Sequence, residues 1–344
     1  MNKILLVGLT PPQEGGSEMH IHEISKRIKD GQVLTQSSSF CKNKIGIPIF
    51  GKKQLIQNLA FFFFASLYLS YLLIKPRKSF DVIHIHENTL YWMIPFLKLR
   101  FKVVTTVHGI KGFKFYDNKK LWLIFSFFLK FSDTLIVVNM EDKKNLDKYF
   151  KSVVYVPNGV DLEPYKVKVK LKEKISFIGR IHEQKGIIYL LDAFNSLSNE
   201  FPKLKLEIIG KINEYAKDLQ RKYKNKNIIW KGFMSDRKEI AKFLKSSICI
   251  ALPSLWEGLP LVLFESLASS RPVIVSDIPA YKSVLKDEAI FCKSKNSEDL
   301  KNKIIFILKN KKSADSLGKR GEKLSKKYSW DTISNQIFNL YNSL

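Results

Sequence analysis

The sequence predicts an α/β chain built as two Rossmann-like, doubly wound domains facing across a cleft. Three observations carry this reading: short apolar strands alternate with helical periodicities, the alternation breaks over residues 158–174, and it then restarts. A length of 344 residues also exceeds the size at which one core keeps growing, so two domains are expected.

Taken in order, KILLVGL is a short buried strand and GGSEMHIHEISKRI a Gly-rich turn entering an amphipathic helix. DVIHIH, KVVTTV and TLIVV are further strands, and such alternation argues for a parallel sheet covered on both faces. The turn PNGVD, then Pro164 and the alternating KVKVKLKEK mark a linker, with domains expected at 1–163 and 164–328. The second half repeats the grammar: KISFIGR, LKLEIIG, NIIWKGF, ICIALPS and PVIVSD as strands, with KGIIYLLDAFNSL, EIAKFLKSS and PLVLFESLASS as helices. Ligands of open parallel sheets bind beyond the carboxyl ends of the strands, so the loops there are the candidate site. In the last segment Trp330, Ile333, Ile337, Phe338 and Tyr341 recur at helical spacing, which reads as core packing.

Composition narrows the partners. There are 58 Lys and Arg against 32 Asp and Glu, and a net charge of +26 suits nucleic acid, anionic membrane or phosphate-rich substrates. The lysines are scattered and no nucleic-acid module surrounds them, so a specific DNA or RNA reader is not expected. Cys41, Cys249 and Cys292 form no CxxC pair, which points to neither a disulfide framework nor a zinc site and fits a reducing cytoplasm. Residues 55–74 are almost wholly apolar and are followed by Lys75, Arg77 and Lys78. Their number is close to the ~20 of a spanning helix, and a membrane span, a domain helix dipping into the membrane interface and a buried helix all remain open. A second aromatic-rich run, LWLIFSFFLKF, starts at Leu121.

The segment LPSLWEGLPLVLFE from Leu252 carries the most specific chemistry. Pro260 suits an early helix position because its missing N–H costs nothing there, so Glu257 belongs to a loop and Glu265 to the helix that follows. Carboxylates so placed can accept from ligand hydroxyls, and the helix N-terminus favours an anionic group nearby. In SFIGRIHEQKG a strand ends at Gly179, and Arg180 and Lys185 follow in a loop leading into a helix, where two cations can stabilise developing negative charge. Gly15 and Gly16 permit close backbone approach at the first strand-to-helix turn, and His108 follows the strand KVVTTV. HIHE occurs at residues 20–23 and again at 84–87. On a helix His20 and His22 diverge by about 200°, and His84 and His86, though on one strand face, have no third ligand, so no metal site is expected.

With GGSE, VHG, PNGVD, IGR, EQKG and LPSLWEGLPLVLFE in this order, nearly the whole chain resembles the family 4 glycosyltransferases, which share the GT-B two-domain fold. The resemblance implies retaining transfer from a nucleoside-diphosphate sugar to a glycan or lipid-linked glycan. It puts Glu257 and His108 beside the donor sugar, Glu265 on the ribose, Arg180 and Lys185 on the diphosphate, and Gly15, Gly16, Gly258, Leu259 and Pro260 around the donor. It also implies that residues 329–344 return to the first domain. No Asp-x-Asp triplet is present, which fits a reaction without a metal cofactor. Three departures stand out: Lys211, Ile212 and Asn213 replace the usual acidic residue and glycine after LKLEIIG, Ser270 stands for a glycine, and Asn139 for a serine. Base contacts from the 211–213 loop are therefore not expected. The basic surface and the apolar runs suggest a cytoplasmic protein in peripheral contact with an anionic inner leaflet. Two other readings share the architecture: a binding or assembly protein without turnover, and a pyridoxal-phosphate glycan phosphorylase.

Overall fold

The computed structural model describes residues 2–12, 15–50, 54–109 and 119–344. It divides into two compact units, one of residues 1–158 with 330–344 and one of residues 159–329.

The first unit holds a seven-stranded sheet of β1 (Ile4–Val7), β2 (Gly31–Gln36), β3 (Lys44–Ile47), β4 (Val82–Ile85), β5 (Lys102–Val107), β6 (Thr134–Val137) and β7 (Val153–Tyr155). All pairings are parallel, in the order β3-β2-β1-β4-β5-β6-β7. The order reverses between β1 and β4, the switch point at which a doubly wound sheet opens a crevice. Its helices are α1 (Gly16–Ser25), α2 (Gln54–Ile74), α3 (Ile94–Lys98), α4 (Lys119–Leu129) and α5 (Met140–Leu146). Strands β1, β4 and β6 are buried along their whole length, as both-face coverage requires.

The second unit repeats the plan with β8 (Lys174–Ile178), β9 (Lys205–Ile209), β10 (Ile228–Gly232), β11 (Cys249–Leu252), β12 (Val273–Ser276) and β13 (Ile290–Cys292). Their order is β10-β9-β8-β11-β12-β13, again all parallel, with the switch between β8 and β11. Helices α6 (Ile187–Leu197), α7 (Glu214–Lys222), α8 (Arg237–Lys245), α9 (Leu261–Ala268), α10 (Pro279–Lys282), α11 (Ser297–Lys309) and α12 (Lys311–Lys327) belong to this unit. The stretch read as a linker packs on it: Val160 and Tyr165 are buried in its core, and Lys172 donates its N–H to the Ser246 carbonyl at 2.8 Å. The division therefore falls at Asn158/Gly159.

The last helix, α13 (Trp330–Asn342), belongs to the first unit. Trp330 and Tyr341 are among its largest buried side chains, Tyr341 reaches His84, and Asn2 donates to the Tyr341 carbonyl at 2.8 Å. Trp330, Ile333, Ile337 and Tyr341 form the buried stripe that their spacing predicts, whereas Phe338 lies outside it.

Candidate functional site

Strand β8 runs out at Ile178, and the chain turns through Gly179 to Arg180 and a short 3-10 turn, Glu183–Lys185. His182 caps that turn through its ring, and Gly186 ends it in the left-handed region at φ 60°. Strand β11, beside β8, ends at Leu252 and leads through Pro253–Pro260 into α9. The two loops are pinned together, because the Leu255 N–H donates to the Gln184 carbonyl at 2.8 Å.

That junction brings the predicted charges together. Lys185 Nζ lies 2.5 Å from Glu257 Oε1, with side chains only 12% and 6% exposed, so the pair is largely withdrawn from water. Ser254 Oγ donates to the same carboxylate oxygen at 2.7 Å, and Tyr281 OH in turn donates to Ser254 Oγ at 3.3 Å. Gln184 Nε2 donates to the Trp256 carbonyl at 3.0 Å and faces Glu257 Oε2 at 3.5 Å, while its Oε1 takes a long 3.4 Å contact from Arg180. Gln184 thus sits between the two cations named from the sequence, a part that a search for charged residues passes over. Arg180 is exposed, so Lys185 and Arg180 are not equivalent.

Gly258 and the buried Leu259 lead to Pro260, and here the structure corrects the expectation. Pro260 is the N-cap of α9, in extended conformation (φ −73°, ψ 137°), and the helix starts at Leu261. Its carbonyl still accepts the Leu263 N–H at 3.1 Å, so its missing donor is no loss. Glu265 lies in the second turn of α9, where Arg237 of α8 reaches its Oε1 at 3.3 Å.

In the first unit His108 follows β5, and a cluster of rings surrounds it. His86 Nδ1 is 3.1 Å from His108 Nε2, the His20 ring meets His108 edge-on with centroids 5.1 Å apart, and His84 packs on His86 at 4.1 Å. The outer rings are anchored: His20 Nδ1 to Asn158 Oδ1 at 2.9 Å, and His84 to Tyr341 OH at 2.5 Å and Thr106 Oγ1 at 2.7 Å. The two HIHE segments meet here because β1, β4 and β5 are neighbours in the sheet, while His22 points away to Cys41. Gly15 and Gly16 open α1 without left-handed backbone; a side chain at Gly15 would meet the Glu18 carboxylate, and a Cβ at Gly16 would meet no atom of the described residues within 4 Å. Among the described residues no group of three or more His, Cys, Asp or Glu side chains is arranged to hold a metal ion.

Burial lowers the His20 pKa to about 4, against an upward pull from its Asn158 hydrogen bond, and burial holds His84, His86 and His108 well below the ordinary value. A depressed histidine costs nothing above the unfolded pKa of about 6.5, and stability is lost as pH falls from there toward the folded value. Glu87, pushed up to about 7 by burial, works in the opposite sense over the same range. The effect of His20 is therefore isolated by comparison with His20→Gln. Wild type should lose about 3 kcal/mol relative to this variant between pH 7.5 and 4, read from denaturant unfolding, since one pKa unit is about 1.4 kcal/mol. Parallel curves for the two proteins would contradict the burial of a neutral His20.

The model of Glycosyltransferase Family 4 matches residues 14–164, and that of Glycosyl transferases group 1 matches residues 163–324. The chain belongs to the family 4 glycosyltransferases. An uncharacterized glycosyltransferase of Methanocaldococcus jannaschii is 26% identical over 350 residues, covering 99% of this chain and 98% of its own. A UDP-Gal:α-D-GlcNAc-diphosphoundecaprenol α-1,3-galactosyltransferase of Escherichia coli is 30% identical over 254 residues, 65% of this chain and 64% of that one. Among solved structures, sucrose-phosphate synthase from Thermosynechococcus elongatus superposes with a TM-score of 0.80 at 18% identity, covering 100% of this chain and 99% of that one. The fold is GT-B, two parallel-sheet α/β domains.

The glycosyltransferase's departures from its family now have structural reasons. Asn213 caps α7, accepting the Ala216 N–H at 2.9 Å, and donates to the Ile181 carbonyl at 2.9 Å, which ties the β9 loop to the β8 loop. Ser270 lies in the left-handed region at φ 58°, which explains why glycine is usual there. Asn139 caps α5 and forms a reciprocal pair with Asp142, at 2.7 Å in each direction, so it does the work of a serine cap.

Helix α2 of the glycosyltransferase is not simply buried. Phe61, Ala65, Leu69 and Leu72 enter the core, while Leu59, Phe63, Leu67 and Tyr71, recurring every four residues, are each at least 50% exposed. Helix α3 packs against both α2 and α4, and Phe96, Leu123, Ile124 and Phe127 add further exposed apolar side chains. By length and composition α2 is also able to cross a membrane.

Proposed function

We propose that the chain is a retaining, metal-independent glycosyltransferase that moves a sugar from a nucleoside-diphosphate sugar to a glycan or lipid-linked glycan, in cell-surface polysaccharide or glycoconjugate biosynthesis. The observation that carries this reading is the Lys185–Glu257 pair at the joined β8 and β11 loops. A diphosphate entering there draws on Lys185 and on the exposed Arg180, and both interactions strengthen as the leaving group gains charge. Glu257 keeps Oε2 toward sugar hydroxyls while Lys185 and Ser254 hold Oε1, and Glu265 takes the ribose. His108 contacts the donor sugar, and the acceptor attacks from the face that the diphosphate leaves.

The name of the Escherichia coli relative gives UDP-Gal as donor and a diphosphoundecaprenol-linked GlcNAc as acceptor, which supports a lipid-linked acceptor for this chain. A panel of UDP-galactose, UDP-glucose, GDP-mannose and ADP-glucose identifies the donor by its hydrolysis. NMR of the product should then show the donor's anomeric configuration kept, at a rate unchanged by EDTA. Inversion, or loss of activity with the chelator, contradicts the mechanism.

The exposed face of α2, α3 and α4, with Lys75, Arg77 and Lys78 after α2, suits reversible attachment to the anionic inner leaflet. Each cation near such a surface adds about 1 kcal/mol, and buried apolar side chains add more. The enzyme should float with anionic liposomes at low salt, and glutamate at these three positions should release most of it. A wild type that stays soluble, and prefers a water-soluble acceptor, refutes the membrane reading and leaves the transferase standing.

A further inference from the structure

We propose that His86 is a positioning residue that fixes the tautomer of His108, holding it as an Nδ1–H donor toward the reacting sugar. The inference rests on the reading of His108 as a sugar contact, but its first test does not.

The contact between the rings runs from nitrogen to nitrogen, 3.1 Å from His86 Nδ1 to His108 Nε2, with the rings stacked at 26°. Two neutral imidazoles share one proton in such a link, so one ring donates and the other accepts. If His108 donated, His86 Nδ1 would accept and its single ring proton would sit on Nε2. That atom is buried and has no hydrogen-bond partner among the described residues, and an orphaned N–H in the interior is a rarer and costlier arrangement than an unused acceptor. If His86 donates from Nδ1, its Nε2 is only a lone pair, and His108 accepts at Nε2 and carries its proton on Nδ1. His20 has the same pattern: its Nδ1–H donates to Asn158 Oδ1, and its buried Nε2 has no partner among the described residues.

The frame around His86 is rigid enough to impose this choice. His84 stacks on it at 4.1 Å and is itself held at both ring nitrogens, by Tyr341 and Thr106. His108 is only half-buried, and its Nδ1 makes no hydrogen bond among the described residues. A donor there serves a sugar oxygen as acceptor. The same ring as an Nε2–H tautomer would present a lone pair at Nδ1, which can accept a hydroxyl proton and suits a base but cannot donate to that oxygen.

Long-range 1H–15N spectra of the whole protein labelled at its six histidines report each ring's tautomer without any substrate. His108 is expected to be protonated at Nδ1 and bare at Nε2; a protonated Nε2 overturns the proposal. His86→Ala should shift His108 toward the Nε2–H form and lower kcat for the panel sugar nucleotide that is turned over, about 10- to 100-fold, with KM for it unchanged. His86→Asn, whose amide stands where Nδ1 does, should restore both the tautomer and most of the rate. Equal loss in the two variants with an unaltered His108 spectrum makes His86 merely structural and sinks the proposal. If either variant fails to fold, the wild-type spectrum alone decides. Full activity in His108→Ala would instead refute the sugar-contact reading and leave the tautomer result intact.

Discussion

Replacing Lys185 with methionine lowers kcat/KM about 10³-fold, equivalent to about 4 kcal/mol of transition-state stabilisation. Two losses combine. The diphosphate loses a cation in a site largely withdrawn from water, and Glu257 loses the partner 2.5 Å away that balances its buried charge. Ser254 still donates to the carboxylate, so the loop has a second anchor and the variant should fold. Glu257→Gln should cost at least ~100-fold and Glu265→Gln a similar amount. The double variant Lys185→Met with Glu257→Gln should be little worse than the poorer single one, because the two residues act as a unit. Arg180→Ala, which removes an exposed group, should lose only about 10-fold. Steady-state kinetics checks all of these, and strict additivity of the Lys185 and Glu257 losses would show that the pair has no joint role.

Gly186→Ala should reduce turnover about 100-fold and destabilise the second unit. Its φ of 60° is left-handed, which costs a residue with a Cβ roughly 1–2 kcal/mol. The added carbon would also stand 2.0 Å from the Pro253 carbonyl oxygen, so backbone has to move. The loop displaced is the one that carries Glu257, and a misplacement of about 1 Å is enough to cost ~10²-fold. Gly232→Ala separates the two effects: φ there is 74°, yet no atom of the described residues lies within 4 Å of the new carbon. It should lose stability alone. Thermal unfolding and kcat for the two variants test this, and full turnover in Gly186→Ala would mean that the junction of the two loops does not set the site's geometry.

Much of this architecture was legible in the sequence because its signals are local. Buried parallel strands such as KILLV and TLIVV are continuous apolar runs, and EQKG and EGLP mark the turns where backbone and charge are both constrained. Short strands at or near the sheet edges, β2, β3, β7 and β13, carry too few apolar residues to stand out. The histidine cluster was not legible for a different reason. His20, His86 and His108 lie on three separate segments, and only the order β1-β4-β5 makes them neighbours. Gln184 was hidden because an uncharged residue between Glu183 and Lys185 gives no signal until its amide is seen against the Trp256 carbonyl. Helix α2 is apolar nearly all round, so periodicity had nothing with which to choose its outer face.

The return of α13 to the first unit bears on how the chain is made. Synthesis proceeds from the N-terminus at about 5–20 residues per second, so the whole of residues 159–329 emerges, over roughly ten to thirty seconds, before Trp330 does. Residues 1–158 wait through that interval without the two large side chains that complete their core, and His84 waits for a phenol 257 positions away. The second unit has no such debt: its ends meet where Val160 donates to the Tyr328 carbonyl at 2.8 Å, so it can close as soon as residue 329 is out. The part of the molecule translated first is thus the last to finish folding, and until α13 arrives its seven-stranded sheet, though complete, lacks the cover that Trp330 and Tyr341 supply.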